Sequence, residues 1–433
     1  MDRVRYLDLF AGIGGLSLGL KRAAKRHGLE TELVEAREID VPASKTYEDN
    51  FGTSPLGDVR ELADIEPYDV LLAGFPCQPF SYAGGKKGFG DTRGTLFFDI
   101  MRIVDINPPK LMIFENVRGI LTNDEGRTIK TIQHEIEKRG YSFDSFTLNS
   151  VNFGVPQNRV RVYMICILGG GNHVLTIKSD KGPPDSNNIQ SLKGDFVNVL
   201  SILDDDPDEK YDCTPRFIEG INRALGGDLS TLHGRRLIDY RGGHSLHSWE
   251  LGSRGICSLR EIEFMNEFIK QRRNKKFGKH RDGKMLTRDQ ISTFWDSDDL
   301  DSILSNLTNM NYLKIVYSDT IGKSNDSIGS KISRYKPVAG NFSFEVYKFL
   351  HPEKISVTVV ASDCSRMGIY HNQRIRRLTP REIARLQGFP DDFILHSNDS
   401  DAYFQLGNAV TVTVAEEVCF DGLSGIMDSF SLR

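Results

Sequence analysis

The sequence predicts an α/β protein in which a doubly wound, parallel sheet is interrupted by an inserted second domain. Three observations support this prediction. From residue 1 to about 170, short apolar segments alternate with amphipathic helical segments, which is the pattern of a parallel sheet covered by helices. Glycine and proline then cluster over residues 169–185, which indicates a linker, and residues 185–395 are more polar. Small and β-branched residues return in the last forty positions and are expected to complete the first domain.

The composition narrows the class of protein. With 433 residues, of which 39% are hydrophobic, the chain can form two or three domains. The net charge is −4, so any contact with nucleic acid must come from local basic patches. The six cysteines form no C-x-x-C pair, which disfavours both a zinc site and a disulfide framework. No secretion signal opens the sequence and no apolar run reaches the roughly 20 residues of a membrane span, so a cytoplasmic protein without a metal is expected.

Five strands are predicted in the first domain. They cover residues 5–10, 32–36, 70–73, 111–114 and 160–168. Helices are predicted between them, for example over residues 16–26 and 94–106. Ligands of open α/β sheets bind beyond the carboxyl ends of the strands, so the residues that follow each strand are the candidate functional residues.

A glycine turn follows the first predicted strand. It contains Gly12, Gly14 and Gly15, and it allows a ligand to approach the backbone closely. The dinucleotide pattern G-x-G-x-x-G would require glycine where Ser17 stands, which disfavours a phosphate-binding loop for NAD.

Two acids follow in the order expected for a nucleoside ligand. Glu38, at the end of the second strand, suits a pair of ribose hydroxyls, and Asp58 could accept a hydrogen bond from an adenine amino group. A glycine turn and two acids without a phosphate loop favour S-adenosylmethionine as the cofactor. The alternative for either acid is a solvated loop residue.

The ends of the next strands carry reactive side chains. Cys77 follows the third strand on a Pro-Cys turn, where a thiol can act as a nucleophile, although most single cysteines are packing residues. Glu115 follows four apolar residues, so desolvation should raise its pKa. Arg159 and Arg161 alternate on one strand face and suit a phosphate or a carbonyl oxygen. The alternatives are that Glu115 is a helix-capping acid and that Arg159 and Arg161 lie on an exposed strand edge. The occurrence of Cys77, Glu115 and Arg161 at neighbouring strand ends favours a catalytic site.

These residues and their order resemble the cytosine-5 DNA methyltransferases. The resemblance covers nearly all of residues 1–168 and 374–415. Six ordered motifs carry it: FAGIGG at 10–15, PCQPFS at 76–81, ENV at 115–117, QNRVR at 157–161, RLTPRE with RLQGFP at 377–390, and GNAV at 407–410. Ala409 stands where serine is common in the family.

The resemblance implies a fold, a reaction and a set of site residues. It implies an S-adenosylmethionine-dependent methyltransferase domain of residues 1–180 and 400–433, with an inserted, mixed α+β target recognition domain of residues 185–395. The methyl group would pass to C5 of a flipped cytosine in a specific duplex sequence, through a covalent bond between Cys77 and C6. Glu115 would hold N3, Arg161 would hold O2, and Arg159 would support the nucleophile loop. The cofactor contacts would be Phe10, Gly12, Gly14, Gly15, Glu38, Asp58, Val59, Pro76 and Asn408.

Three further segments are expected to contact DNA. The glycine-rich stretch of residues 80–94 is expected to close over the flipped base, with phosphate contacts from Lys86, Lys87 and Arg93. Thr358 and Val359 resemble the Thr-Leu pair of the family's recognition loop. Residues 258–317 resemble a helix-turn-helix with a wing, and the basic residues inside this segment are expected to contact phosphates unless they are merely a solvated linker. They are Arg272, Arg273, Lys275 and Lys276.

Three alternatives remain open from the sequence alone. A tRNA-directed member of the family would be expected to carry a much smaller insert, and a catalytically silent DNA-binding homologue would not need Cys77 and Glu115. A dehydrogenase is disfavoured by Ser17. The resemblance, with no extension before the first motif, suggests a free-standing, monomeric prokaryotic enzyme of the restriction-modification type. Its partners would be double-stranded DNA and a cognate restriction endonuclease that acts independently.

Overall fold

The chain folds into two compact units. The computed structural model describes residues 2–76, 96–170, 175–179, 197–239, 245–277, 285–318, 332–338 and 344–431. The first unit consists of Met1–Asp205, Pro352–Ser365 and Thr379–Arg433, and the second consists of Asp206–His351 and Arg366–Leu378. The second unit is therefore narrower than the predicted insert of residues 185–395, because the segments at 352–365 and 379–395 pack with the first unit.

The first unit is built on a six-stranded sheet in the order β2-β1-β3-β4-β6-β5. Its strands are β1 (Arg3–Leu9), β2 (Glu30–Arg37), β3 (Val70–Ala73), β4 (Leu111–Val117), β5 (Asp144–Asn149) and β6 (Val160–Ile167). The helices between them are α1 (Gly15–Arg26), α2 (Val41–Phe51), α3 (Leu96–Ile106) and α4 (Arg127–Glu137). Strands β1 to β4 are parallel, as predicted, whereas β6 runs antiparallel to both of its neighbours.

The second unit contains a five-stranded sheet and a three-helix module. The first two helices are α5 (Pro215–Leu225) and α6 (Ser248–Leu251), with the short strands β7 (Arg236–Leu237) and β8 (Ser245–Leu246) between them. The module follows with α7 (Leu259–Gln271), α8 (Arg288–Ser292), α9 (Leu300–Asn309), β9 (Leu313–Ser318) and β10 (Ile332–Pro337). The sheet is completed by β11 (Lys348–Leu350), β12 (Met367–His371) and β13 (Arg374–Arg377), in the order β13-β12-β11-β7-β8.

The chain then returns to the first unit and covers its sheet. The last helices are α10 (Pro380–Leu386), α11 (Asp399–Asn408) and α12 (Val412–Ser431). Strand residues on one face of the sheet, such as Tyr6 and Ile113, pack in one core with α1 and α12. Strand residues on the opposite face, such as Leu7 and Met112, pack in a second core with α3 and α4. The result is three layers, with the carboxyl ends of β1 to β4 at one edge of the sheet. No helix in the described part of the chain is both long and apolar enough to span a membrane.

Candidate active site

A cleft of about 440 Å³ lies at the carboxyl edge of the six-stranded sheet. The turns after β1, β2, β3 and β4 and the end of α11 line this cleft. A smaller cavity of about 230 Å³ shares four of its lining residues, so the two form one continuous depression. The shared residues are Phe10, Glu38, Ile39 and Pro76. All residues that the sequence predicts for cofactor binding, except Gly14, therefore line this depression.

The glycine turn after β1 adopts backbone angles that favour glycine. Gly12 and Gly14 have φ of 54° and 86°, and Phe10 is held at 57°, an unusual value for a side chain of its size. A Cβ atom on Gly14 would lie 2.2 Å from the Phe51 ring, and one on Gly15 would lie 2.8 Å from the carbonyl oxygen of Val410. Side chains at these positions would displace neighbouring residues, so both glycines are required sterically.

Glu38 connects the turn after β1 with the end of β2. Its carboxylate accepts hydrogen bonds from the backbone N–H groups of Gly12 and Asp40, each at 2.8 Å. Each oxygen keeps a further lone pair that a hydroxyl could use. The two bonds fix the carboxylate at the point where the two cavities meet.

The smaller cavity is lined by a second acid and by an exposed apolar residue. Asp58 caps the short turn Val59–Glu61 and accepts hydrogen bonds from the Arg60 guanidinium, which lowers the pKa of Asp58. Ile39 is 71% exposed and lines both cavities. Ile39 is not among the residues predicted above, although an apolar residue directly after the predicted ribose acid is a usable signal for a surface that a planar base can cover.

The donors and acceptors of the cleft fit S-adenosylmethionine better than a phosphate-bearing cofactor. None of the described residues that line the larger cleft is lysine or arginine, whereas Glu38, Asp40 and Glu115 are acids. An acidic lining suits a ligand that carries ammonium and sulfonium charges. Gln405 also lines the cleft, is 5% exposed, and its Nε2 donor finds no acceptor within the described part of the chain. A ligand carboxylate could accept a hydrogen bond from this donor. Gln405 is not among the site residues predicted from the sequence.

Ser17 has a structural role beneath the glycine turn. Its hydroxyl donates a hydrogen bond of 2.6 Å to Oδ2 of Asp8, which is 1% exposed, and lies 3.1 Å from the hydroxyl of Tyr47. Burial raises the pKa of Asp8 to about 7, the bond from Ser17 opposes this effect, and the charge of Glu38 adds to it. The serine that breaks the dinucleotide pattern therefore pairs with a buried carboxyl.

Glu115 and Arg161 form a buried ion pair at the same edge of the sheet. In the antiparallel pairing of β4 with β6, Glu115 faces Tyr163 and Val117 faces Arg161, so Arg161 lies diagonally across from Glu115. The Nε of Arg161 is 3.2 Å from Oε1 of Glu115, and the two side chains are only 14% and 12% exposed. Burial raises the pKa of Glu115, while the charges of Arg161 and Arg159 oppose the rise.

The end of β3 lies beside this pair. A Cβ atom on Gly74 would be 4.0 Å from Oε2 of Glu115, and Asn116 donates from Nδ2 to the carbonyl oxygen of Phe75 at 2.9 Å. The Asn116 bond fixes the backbone immediately before Pro76. Four predicted site residues of the following segment lie outside the described residues: Cys77, Lys86, Lys87 and Arg93.

Arg159 joins two distant segments of the first unit. It is 3% exposed, and its guanidinium donates to the carbonyl oxygens of Val359 at 2.7 Å and Ala409 at 2.8 Å. A Cβ atom on Gly407 would lie 2.3 Å from the backbone nitrogen of Ala361, so the two segments pack in direct contact. We call Arg159, Gly407 and residues 358–361 the Arg159 clasp.

Three predicted site residues lie in or beside this clasp. Arg159 is predicted to support the nucleophile loop, which lies outside the described residues, and its described hydrogen bonds hold residues 358–361 against the GNAV turn. Val359 is fully buried, which differs from its expected contact with DNA. Thr358 is half-buried, and its hydroxyl donates to the carbonyl oxygen of Asn158. Asn408, in contrast, is exposed and lines the cleft, as expected.

The basic segment after α7 is only partly exposed. Arg273, Lys275 and Lys276 are exposed, as a phosphate-contacting surface requires. Arg272 is 3% exposed at the end of α7 and differs from that expectation. It follows the helix spacing of the buried residues Met265 and Phe268, a signal that could have placed it in the core.

The fold defines the class of protein as three-layer α/β, with a ligand cleft at the carboxyl edge of the sheet. A Dnmt2 methyltransferase from S. pombe shares the fold, with 16% identity, a TM-score of 0.50 and coverage of 99% of each chain. A methyltransferase encoded within an E. coli prophage shares it at 22% identity and a TM-score of 0.51, over 98% of this chain and 99% of that one.

Residues 4–421 match the family model of the C-5 cytosine-specific DNA methylases, and the chain belongs to this family. Two relatives are similar over nearly their whole length. Type II methyltransferase M.BanI of Aneurinibacillus aneurinilyticus is 50% identical over 97% of this chain and 95% of that protein. Type II methyltransferase M.HgiCI of Herpetosiphon aurantiacus is 48% identical over 96% of this chain and 97% of that protein. The resemblance inferred from six motifs is confirmed, and the protein is a DNA cytosine-5 methyltransferase.

Proposed function

We propose that this enzyme methylates a cytosine within a specific double-stranded DNA sequence as the modification partner of a restriction endonuclease, and that it uses the cleft of the first unit for this reaction. The single observation that supports the site is that Glu38 and Glu115 line the same cleft. A nucleoside held by Glu38 and a base held by Glu115 would therefore meet at one sheet edge. The second unit is proposed to select the target sequence.

The cofactor side of the cleft is proposed to bind S-adenosylmethionine. Glu38 would accept from the ribose hydroxyls, Asp58 and the backbone of Val59 would contact the adenine, and Ile39 and Phe10 would cover its ring. The turn of Gly12, Gly14 and Gly15, with Pro76, Gln405 and Asn408, would enclose the methionine end. When bound, the cofactor supplies an electrophilic methyl group on its sulfonium.

The catalytic side is proposed to activate the ring of a flipped cytosine. Cys77 adds as a thiolate to C6, which makes C5 nucleophilic. The charge that develops on the ring is stabilised at N3 by Glu115, whose burial favours its protonated form, and Arg161 contacts O2. After C5 has received the methyl group, loss of the C5 proton expels the Cys77 thiolate and restores the aromatic ring. The base must leave the duplex, because C5 and C6 cannot be reached from both faces inside the stack.

The proposal is tested by locating 5-methylcytosine in host DNA. The chain is expressed in a bacterial host without cytosine-5 methylation, and conversion sequencing maps the modified positions. We expect one sequence to be methylated genome-wide, and no methylation with Cys77→Ala. Cys257→Ala, which removes a cysteine in the second unit, is the matched control and should retain the mark.

The covalent step is tested separately. DNA with 5-fluorocytosine at the mapped target should trap wild type and Cys257→Ala as a stable adduct, because fluorine cannot leave as the C5 proton does. Cys77→Ala should give none. An adduct of undiminished yield with Cys77→Ala would remove Cys77 from the role of nucleophile.

We also expect the enzyme to act as a monomer in the bacterial cytoplasm, where the host DNA lies.

A further inference from the structure

The three-helix module of the second unit has a specific topology. Its order is α7, an isolated bridge at Leu286, α8, α9 and then the hairpin of β9 and β10. Leu286 and Tyr335 exchange two backbone hydrogen bonds, of 3.1 and 2.7 Å, and β10 is antiparallel to β9. The three extended segments are thus ordered Leu286, β10, β9. A helix, a strand, two helices and a hairpin that pairs back to the first strand form the winged variant of the helix-turn-helix.

A core of its own holds this module together. Phe264 and Phe268 of α7 pack with Leu304 and Leu307 of α9 and with Leu313 of β9. All five side chains are at most 1% exposed. Capping boxes start α7 at Ser258 and α8 at Thr287, so both helix starts are fixed by local hydrogen bonds. The inner face of α9 is therefore firmly positioned.

The outer face of α9 carries uncharged hydrogen-bonding groups. Ser302, Ser305, Asn306 and Asn309 follow the i, i+3, i+4, i+7 spacing of one helix face, and all four are exposed. Their side chains form no hydrogen bond with another residue that the structure describes. Serine and asparagine side chains suit base edges, since asparagine can bind N6 and N7 of adenine through two hydrogen bonds.

The acids near the start of α9 are partly neutralised. Asp301 is paired with Arg288, whose Nε lies 2.8 Å from Oδ1, and Asp299 is paired with Arg260 at 3.1 Å. Asp296 and Asp298 precede them in the connection from α8. The two ion pairs reduce the negative charge at this end of α9. The face formed by Ser302, Ser305, Asn306 and Asn309 adds no further negative charge.

The hairpin carries an unfavourable charge pair that an anion would relieve. Lys314 and Lys336 are directly opposed partners across β9 and β10, and Arg334 lies on the same strand face as Lys336. Like charges directly opposite each other destabilise a sheet. Among the described residues neither lysine has an acidic partner, and the Nε of Arg334 has no acceptor. Three cations on one face, for which the described part of the chain supplies no counter-charge, suit the phosphates of a nucleic acid.

We propose that residues 259–277, 285–318 and 332–337 form a winged-helix module that binds double-stranded DNA, with α9 in the major groove, where Ser302, Ser305, Asn306 and Asn309 read base edges. Lys314, Arg334 and Lys336 bind phosphates and fix the register of the module. This proposal rests on the proposed function only in taking duplex DNA as the substrate. It assigns part of the sequence selection to a helix outside the Arg159 clasp.

The first test removes the base-reading groups. The variant Ser302→Ala, Asn306→Ala, Asn309→Ala changes only exposed positions, and alanine favours the helix. We expect its ratio of specific to non-specific DNA affinity to fall roughly 5- to 150-fold for each lost base contact. In host DNA, conversion sequencing should show new methylated sequences that differ from the wild-type target at one or two positions. Gln133→Ala, which removes an amide from α4 of the first unit, should change neither quantity.

The second test removes the phosphate contacts. Lys314→Gln with Lys336→Gln should weaken binding to all duplex sequences alike. It should also flatten the slope of log affinity against log salt by about 0.9 for each lost contact. Arg216→Gln, which neutralises a cation on α5 outside the module, is the charge-matched control and should leave this slope unchanged.

The outcomes separate the module from the rest of the protein. An unchanged methylation map in the α9 variant, or an equal loss on all sequences, would overturn base reading by α9. An unchanged salt slope in the hairpin variant would overturn its phosphate contacts. If the α9 variant has lost helical circular dichroism, Asn306→Gln replaces it, and this change should alter the preferred base rather than relax the choice. Failure of the wild-type chain to methylate any host DNA would count against the proposed function and not against the module.

Discussion

At the scale of single residues, polar side chains that the sequence places in a core prove to organise the site. Asp8 is the clearest example, because a carboxyl in the middle of β1 has no place in a simple apolar strand. The Ser17 hydroxyl donates to Asp8 and lies within hydrogen-bond distance of the Tyr47 hydroxyl, and the turn of Gly12 to Gly15 lies between Asp8 and Ser17 in sequence. The cost of this buried carboxyl depends on pH, and the dependence can be measured.

We expect Asp8→Asn to gain stability relative to wild type as the pH rises. The pKa of Asp8 is about 7 in the folded chain and about 3.9 in an unfolded chain. Folding therefore favours the protonated form, and its contribution is fully present below about pH 4 and lost as the pH rises to about 7. Asparagine has no charge to bury, so urea unfolding of both proteins at pH 5 and 8 should show a difference that grows by about 1–3 kcal/mol. A constant difference would mean that Asp8 is ionised in the fold at both pH values.

The strand-end rule selected Glu115 and Arg161, because each stands beside an apolar strand. It could not select Gln405, because the position of its Nε2 atom, which has no acceptor within the described part of the chain, depends on a cleft formed with β1 and β2, far away in sequence. The burial of Val359 is of the same kind, since its contact with Arg159 spans 200 residues.

At the scale of secondary-structure elements, the direction of β6 decides the geometry of the site. An antiparallel β6 starts at the edge where the parallel strands end, so Arg161 pairs with Glu115 of the cleft lining from the beginning of a strand. Periodicity predicted this strand and its length, but residue alternation is the same in either direction. Strand β5 was missed because only Phe146 and Leu148 of its six residues are strongly apolar, and it lies at the sheet edge.

The Arg159 clasp leads to a prediction about two neighbouring segments. Gly407→Ala places a methyl group 2.3 Å from the backbone of Ala361, so residues 358–361 or the GNAV turn must move. Because Ala409 and Val410 also line the cofactor cleft, we expect weaker S-adenosylmethionine binding and a higher KM for DNA together, each by about tenfold. Calorimetry and steady-state kinetics measure the two effects. Gly119→Ala is the matched control, since the nearest atom to its Cβ lies at 3.9 Å. A change in only one quantity would show that the clasp does not couple the two segments.

At the scale of the whole molecule, the chain leaves the first unit and returns to it twice. Sequence texture predicted an inserted domain of residues 185–395, which took in residues 352–365 and 379–395. The packing of these two segments against Gln157, Arg159 and α12, which the sequence does not reveal, places them in the first unit. The side chain of Gln157 alone accepts from the N–H of Val359 and donates to the carbonyl oxygen of Leu386.

The division into units predicts which exchange transfers target choice. Replacing residues 206–351 and 366–378 with the matching segments of a relative that methylates another sequence should transfer that relative's methylation map, because the clasp and the cleft stay native. The control exchanges residues 379–433 instead and should keep the original map. Conversion sequencing of host DNA reads both results. A folded, active chimera of the first kind with the original map would place target selection in the first unit.

Helix α12 packs on the six-stranded sheet but is the last element of the chain to be synthesised, which has a consequence for folding during biosynthesis. Its residues Val414, Ala415, Val418 and Leu423 complete the core on the face of the sheet that α1 covers only in part. The last sheet strand ends at Ile167, and the ribosome must add about 250 more residues before α12 exists, which takes on the order of 10–50 s. For that time an apolar sheet face of the nascent chain lacks its cover. The insertion that is proposed to select the target therefore also delays closure of the core of the first unit during synthesis.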